Sequence, residues 1–347
     1  MTGLQLVRLP HNTNRFPCRP FPADSRVCFM MKKNLFRCLF AFFVLFSPFS
    51  LLHATPGLQE RINAIVQGQS ADIGVAIESG SGQGASFQAD KAFPMQSVVK
   101  FPLALAVLDA VDKGRWHLDD TFLLTGRELL PDTHSPLREK YADGPAQVTL
   151  REILTDTVSH SDNNGCDMLF RLLGGPEAVE RYVKGLGIEG FRIRATEEEM
   201  QRSWDAQFAN TATPAAANRL LRLFQQKKLL SASSHELLWA MMRDSMTGPG
   251  RLREPLPAGT VLVHKTGTGD TSPVKGTTVN DIGIILLPDG RPVFISVFIT
   301  HAPDSIMDTE KTIASLSQAA WEYYSALPRN PLAAAQHGVR ELFRLND

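Results

Sequence analysis

A serine and a lysine three residues apart, Ser97 and Lys100, stand in Phe93-Pro94-Met95-Gln96-Ser97-Val98-Val99-Lys100-Phe101-Pro102, where an apolar periodicity begins. Phe101, Leu105, Leu108 and Val111 recur at helical spacing, and Pro102 is tolerated only in a first turn, where backbone N–H groups lack intrahelical partners anyway. The spacing therefore predicts a buried helix over 97–113 with Ser97 at its positive end. Residues three apart on a helix share a face, which brings an ammonium to a hydroxyl. Buried lysines give up their proton more readily than solvated ones, and a base beside a hydroxyl is what turns serine into a nucleophile. A lone Ser-x-x-Lys is more often a surface pair on an ordinary helix, so the rest of the chain must decide.

Two further short motifs follow in order, Ser161-Asp162-Asn163 and Lys265-Thr266-Gly267-Thr268. Each alone is weak, the first reading as a turn or helix N-cap and the second as a strand exit. Together they suit attack of a serine on an amide. The Ser161 hydroxyl can pass a proton to the leaving nitrogen and Asn163 can hold an acyl side-chain amide. Lys265, Thr266 and Thr268 offer a cation and hydroxyls to a substrate carboxylate. In this order, on a helix start, a helix-flanking loop and an edge strand, the three motifs resemble the signature of class A β-lactamases and penicillin-binding proteins.

That resemblance implies a serine β-lactamase that opens the β-lactam amide through an acyl-enzyme, with Ser97, Lys100, Ser161 and Glu197 catalytic. It places the oxyanion-binding N–H groups on Ser97 and Thr268, and substrate binding on Asn163, Lys265, Thr266, Gly267 and Thr268. Arg251 resembles the arginine that assists carboxylate binding in this family, the alternative being a solvated surface arginine. Glu197 follows Ser161 at the family's spacing for the glutamate that activates water, and Trp204, Gln207 and Ala212-Thr213-Pro214 resemble the end of the Ω-shaped loop. Its neighbours Glu198 and Glu199 read as a solvated face. Gln96 before the nucleophile, Glu-x-x-Met and His264-Lys265-Thr266-Gly267-Thr268 look like the PER/VEB-type branch, where the resemblance implies a widened cavity and turnover of oxyimino-cephalosporins. Ala195 stands where an arginine often pins the loop, Glu198 where a proline is usual, and Gln201 where that branch carries a histidine, so an uncommon loop conformation is expected. A D-alanyl-D-alanine peptidase with the same acylation machinery, or a penicillin-binding sensor module with no need of Glu197, are the alternatives.

The elements that position these residues follow from pattern. Ile73 to Ile77 and Ala85 to Gln88 flank a Ser/Gly-rich turn as a hairpin, and residues 260–265, 282–287 and 293–300 read as strands. Between them the period is mostly 3.6, with helices expected at 149–157, 163–173, 176–186, 215–226 and 233–243. A short helix carrying Leu58, Ile62 and Ile65 opens the domain, and one carrying Ile313, Leu316, Ala320 and Tyr324 closes it. The fold class is thus α/β (α+β), an antiparallel sheet flanked by N- and C-terminal helices with an inserted all-helical lobe. The catalytic domain covers 55–327, its α/β lobe 55–92 and 255–327 and its helical lobe 93–254, and the tail 328–347 lies outside it.

Composition is that of a globular enzyme. Hydrophobic residues make up 43% and charged residues 21% of 347. Lys+Arg and Asp+Glu are equal at 36 each, which argues against nucleic acid or an anionic membrane as partner. A small-molecule enzyme fits better, and the resemblance implies β-lactam substrates and a monomer; no cofactor and no metal are expected, since no His/Cys cluster has ligand spacing. Residues 31–54 carry a basic start, Met31-Lys32-Lys33, an uncharged apolar run shorter than a membrane span, and a small residue, Ala54; this resembles a secretory signal peptide. Export to the periplasm with removal of everything before Thr55, and no stable membrane association afterwards, are the expectations. Residues 1–30 read as an upstream segment that is either untranslated or non-native. Of the cysteines, Cys18, Cys28 and Cys38 fall before that cleavage point, and Cys166 reads as a small buried hydrophobe.

Overall fold

The computed structural model describes residues 56–328. The upstream segment 1–30, the signal segment 31–54 and the tail beyond Pro328 lie outside the described residues.

In chain order, α1 (Leu58–Val66) leads into the hairpin β1 (Asp72–Ser79) and β2 (Gly84–Phe87), then β3 (Phe93–Pro94), a 3-10 turn Gln96–Val99 and α2 (Lys100–Asp112). Next come β4 (Thr121–Leu124), α3 (Pro136–Lys140), β5 (Ala146–Thr149), α4 (Leu150–Ser159), α5 (Asn163–Leu173), α6 (Pro176–Gly185), β6 (Phe191–Arg192), α7 (Glu197–Met200) and β7 (Thr211–Ala212). The chain closes with α8 (Pro214–Gln225), α9 (Ala232–Arg243), β8 (Leu262–Thr268), β9 (Thr277–Leu286), β10 (Pro292–Ala302) and α10 (Ile306–Ala326).

The main sheet runs β2-β1-β10-β9-β8, each neighbouring pair antiparallel, so strands from both ends of the described chain share one sheet and β8 is an edge. Strands β9 and β10 are buried almost throughout rather than alternately, because both faces of the sheet are covered. On one face Ile73, Val75, Ile295 and Val297 pack with Ile62 of α1 and Ile313, Leu316 and Tyr324 of α10. On the other, Ile282, Ile284, Phe294 and Phe298 join the larger core around α2, α4, α5, α8 and α9. Helix α2 runs through that core with every residue from Lys100 to Leu108 buried, so its low amphipathicity is the mark of a central helix.

Residues 93–254 are mainly helical as expected, and they also carry a hairpin of β4 with β5 and a small sheet β3-β7-β6. Strands of two to four residues are too short to show alternation, so the helical period hid them. Two boundaries moved for a physical reason. Lys265-Thr266-Gly267 lies inside β8 and not at its exit, since pairing with β9 continues to Thr268 opposite Val279. Strand β9 begins at Thr277, where the polar run Thr277 to Asp281 reads in sequence as loop; its side chains are instead buried and hydrogen-bonded, Asn280 Nδ2 to the Pro94 and Met95 carbonyls and Thr278 Oγ1 to Thr300.

Candidate active site

The chain reaches Ser97 through Gln96, held at φ 50°, and turns in one 3-10 turn into α2 at Lys100. A left-handed non-glycine residue is strained, and here it lies directly before the serine. Ser97 is half-buried and Lys100 fully so. The Lys100 ammonium donates to Ser97 Oγ at 2.9 Å, to the Ser161 carbonyl at 2.8 Å and to Asn163 Oδ1 at 2.5 Å. Lys100 Nζ also lies 3.1 Å from Glu197 Oε1. That contact is an ion pair without hydrogen-bond geometry, and Glu197 Oε1, though buried, has no hydrogen-bond donor among the described residues.

Ser161, at φ 63°, is the second left-handed residue of the site. It sits between α4 and α5, where Asp162 caps α5 through Gly165 N and fixes the preceding loop by accepting from Ser135 Oγ and Leu137 N. Its hydroxyl accepts from Lys265 Nζ at 3.0 Å, so two ammonium groups flank one serine. Burial first, and the charge of Lys100 second, pull the Lys265 ammonium down to about 7, against the opposing pull of Asp281 and Glu197.

Gly267 has a packing reason. A Cβ there would stand 2.4 Å from the Met95 carbonyl oxygen and 3.2 Å from Val98 N, so only glycine lets β8 lie against the turn that carries Ser97. Gly269 N donates to Thr278 O. By the alternation of an antiparallel ladder, the N–H of Thr268 then points off the sheet edge. Arg251 is 3% exposed, which excludes the solvated-arginine reading. Its guanidinium donates to Thr268 Oγ1 at 2.6 Å, to the Gly267 and Asn280 carbonyls, and to Glu310 Oε1 at 2.9 Å. Thr266 Oγ1 pairs with Thr247 Oγ1 at 2.6 Å. The structure thus brings together all ten residues singled out in the sequence: Ser97, Lys100, Ser161, Asn163 and Glu197 around one ammonium, and Lys265, Thr266, Gly267 and Thr268 along β8 with the Arg251 guanidinium against its end.

Glu197 opens a four-residue helix, α7, rather than lying on an irregular loop. Thr196 caps it by accepting from Glu199 N, and the Glu199 carboxylate accepts from Thr196 N in return, so Glu199 has a structural task. Glu198 is exposed, as expected of it. What aims Glu197 is Asp167 on α5, whose two oxygens accept Glu197 N at 2.6 Å and Glu198 N at 2.9 Å. Burial, followed by the negative charge of Glu197, pushes the Asp167 carboxyl up to about 7, while the two amide donors hold it down. Asn210 does the pinning for which Ala195 has no side chain. It accepts from Arg194 N and Ala195 N and donates to the Ala195 carbonyl, closing both ends of the loop. Gln201 donates to Thr133 Oγ1, which also accepts from Asn163 Nδ2 at 2.7 Å. Gln96 Nε2 bridges to Gln207, whose Oε1 in turn accepts from Asp270 N.

Asp167, Asn210 and Thr133 escaped the sequence reading. Asp167 lies four residues after Asn163 on a predicted helix, a spacing that puts both on one face, and that was the available signal. For Asn210 and Thr133 no local pattern exists. Cys166 is fully buried in α5, and burial pushes its thiol well above the usual range.

Residues 57–324 match the model of the beta-lactamase enzyme family. Among curated proteins the chain is 39% identical to Beta-lactamase VEB-1 of Pseudomonas aeruginosa over 273 residues, 78% of this chain and 91% of the relative. It is also 39% identical to Extended-spectrum beta-lactamase PER-1 of the same organism over 281 residues, 81% and 91% of the two. Among solved structures it is similar to TLA-1 extended spectrum beta-lactamase, with TM-score 0.75, 41% identity, and 77% and 98% of the two chains covered. A beta-lactamase from Chitinophaga pinensis gives TM-score 0.75 at 42% identity, covering 77% and 99%.

Proposed function

Because the chain belongs to the beta-lactamase enzyme family and is a class A β-lactamase, we propose that it opens the β-lactam amide through an acyl-enzyme on Ser97, and that its substrates include oxyimino-cephalosporins. The observation that carries the reading is the single buried ammonium of Lys100, 2.9 Å from Ser97 Oγ and 3.1 Å from Glu197 Oε1. It links a nucleophile to a carboxylate that penicillin-binding peptidases and sensors do not need.

In this reading Ser97 Oγ attacks the β-lactam carbonyl, and its proton leaves toward the Lys100–Glu197 pair. The carbonyl oxygen becomes an oxyanion between the N–H groups of Ser97 and Thr268. The amide nitrogen departs with a proton from Ser161, whose hydroxyl Lys265 holds at 3.0 Å. Asn163, fixed between Lys100 and Thr133, holds the acyl side-chain amide. Lys265, Thr266, Thr268 and Arg251 take the substrate carboxylate. Water then attacks the ester carbonyl and gives a proton to Glu197, whose Oε1 accepts no hydrogen bond from the described residues; the bond to Ser97 Oγ breaks and Oγ regains a proton from the Lys100–Glu197 pair.

Support for bulky oxyimino substrates comes from relatives described as extended-spectrum. Steady release of product from both a simple penicillin and an oxyimino-cephalosporin, with a slow β-lactam adduct mapped to the peptide holding Ser97, is the expected result. Adduct on Ser161, or acylation of Ser97 without release, overturns the reading. The enzyme acts as a periplasmic monomer in this account; a mature N-terminus at Thr55 and a monomer mass in solution are the expected measurements, and a product retaining Met31 contradicts export.

A further inference from the structure

His264 and Asp281 take part in no step above, yet they are 1% and 0% exposed, and His264 Nδ1 lies 3.0 Å from each Asp281 carboxylate oxygen. Strand alternation puts Lys265 on the nucleophile's side of β8 and His264 on the other, with Leu262, which packs beneath α1 and α10. A buried polar pair is a poor source of stability, because desolvating both groups offsets most of their attraction and aliphatic side chains would pack there as well. Its connections are more informative than its energy.

His264 immediately precedes Lys265. Asp281 Oδ2 also accepts the backbone N–H of Leu252 at 3.3 Å, and Leu252 immediately follows Arg251. Across the ladder, Asp281 stands opposite Thr266. One carboxylate therefore touches the neighbour of each cation in the cleft and faces the threonine between them. The Leu252 carbonyl is taken by Ser317 Oγ of α10, so the N–H to Asp281 is the link from this peptide to the sheet. The Arg251 guanidinium is anchored to the same sheet directly, through Gly267 O, Asn280 O and Thr268 Oγ1, so Asp281 acts on the backbone that carries it and not on its head group.

We propose that the buried His264–Asp281 pair positions the substrate-carboxylate subsite, holding the backbone on which Lys265 and Arg251 stand so that both side chains meet one carboxylate. The inference rests on the carboxylate role given to Lys265, Thr266, Thr268 and Arg251 above, and it names what holds them. His264 and Asp281 are positioning residues; neither touches substrate.

The test uses the full mature enzyme with a β-lactam carrying its free carboxylate and with the methyl ester of the same compound. Wild type must favour the acid over the ester in KM. Asp281→Asn then raises KM for the acid about tenfold and leaves kcat within about twofold, with kcat/KM for the ester falling no more than about twofold, the share expected through the Lys265–Ser161 bond. His264→Gln, which keeps a donor toward Asp281 and leaves the Leu252 bond in place, raises KM for the acid about threefold with the same split. Equal losses on acid and ester, a fall in kcat at constant KM, or failure of both variants to give folded protein would overturn the proposal, the last because the pair would then serve the fold and not the subsite. A wild type indifferent to esterification would instead overturn the carboxylate subsite itself, and this failure is read before any variant is made.

Discussion

Ser97 and Lys100 ride on one helical turn that continues into the most buried helix among the described residues, whereas Glu197 sits on a four-residue helix with its own capping box, held from outside by Asp167 and Asn210. On the acylation side the backbone itself aims the groups, and the third member, Lys265, is on a strand paired along its length. On the proposed deacylation side, apart from the local Thr196–Glu199 box, the contacts are side chains reaching from 30 and 15 residues away. Acylation geometry should therefore survive loss of any one neighbour, and deacylation geometry should not.

The largest effect is expected where the backbone aims a group with no substitute. Ser97→Ala should lower kcat/KM by about 10⁴-fold or more while the melting temperature stays near wild type, since Ser97 is only half-buried. Steady-state rates and a thermal scan check it. A variant with most of its activity would mean that the nucleophile is elsewhere.

Asn210→Ala strikes the other side. It strips two buried backbone N–H groups and one carbonyl of their partner, each unsatisfied group costing about 1–3 kcal/mol. Steady-state kcat should fall about 10- to 100-fold with the acylation burst retained, as seen by stopped-flow. Equal loss of burst and steady rate would show that the two sides are not separable.

The Lys265 ammonium, at about 7, gives substrate binding on the proposed acylation side a pH signature. Its lowered value means that the cation is present below about pH 7 and lost as pH rises through it. KM for a carboxylate-bearing β-lactam should climb roughly five- to tenfold between pH 7 and 8.5, and Lys265→Arg should flatten that climb. A flat wild-type profile would contradict the carboxylate role.

How much of this was legible follows the same division. Ser97 and Lys100 were readable as a pair because the helical period around Phe101 and Leu105 puts them on one face, whereas Ser161 and Lys265, which meet Lys100 and each other across 61 and 104 residues, were singled out through the resemblance of their motifs. Gly267 was readable as a motif letter, though its reason, the approach of β8 to Met95, needed coordinates. Asp167, Asn210 and Asp281 act across 30, 15 and 29 residues on Glu197, Ala195 and Leu252, and no local periodicity reports such pairings. Strand β9 was read short for the same reason, since its polar start is satisfied by distant groups.

The smallest effect concerns Asp167. Its carboxyl titrates near 7 in the fold against 3.8 as the ordinary value, so between those limits the folded state binds the extra proton. Its contribution to stability is present below about pH 4 and lost as pH rises through about 7. Asp167→Asn should shrink the fall in melting temperature between pH 5 and 8 by about 2–4 °C, measured by calorimetry. An unchanged or steeper fall would mean that Asp167 is already ionised at pH 5.

The central claim is that Glu197 activates the deacylating water, and Glu197→Gln tests it most directly because it keeps size and hydrogen bonding while removing basicity. Positioned general bases contribute about 10²–10⁴-fold. Mixed with a penicillin, Glu197→Gln should form a covalent adduct on Ser97 that persists for minutes to hours by intact mass while steady-state turnover falls within that range; Glu198→Gln, its exposed neighbour, should turn over as wild type. Normal turnover in Glu197→Gln with no accumulated adduct would contradict the account and move the base to Lys100.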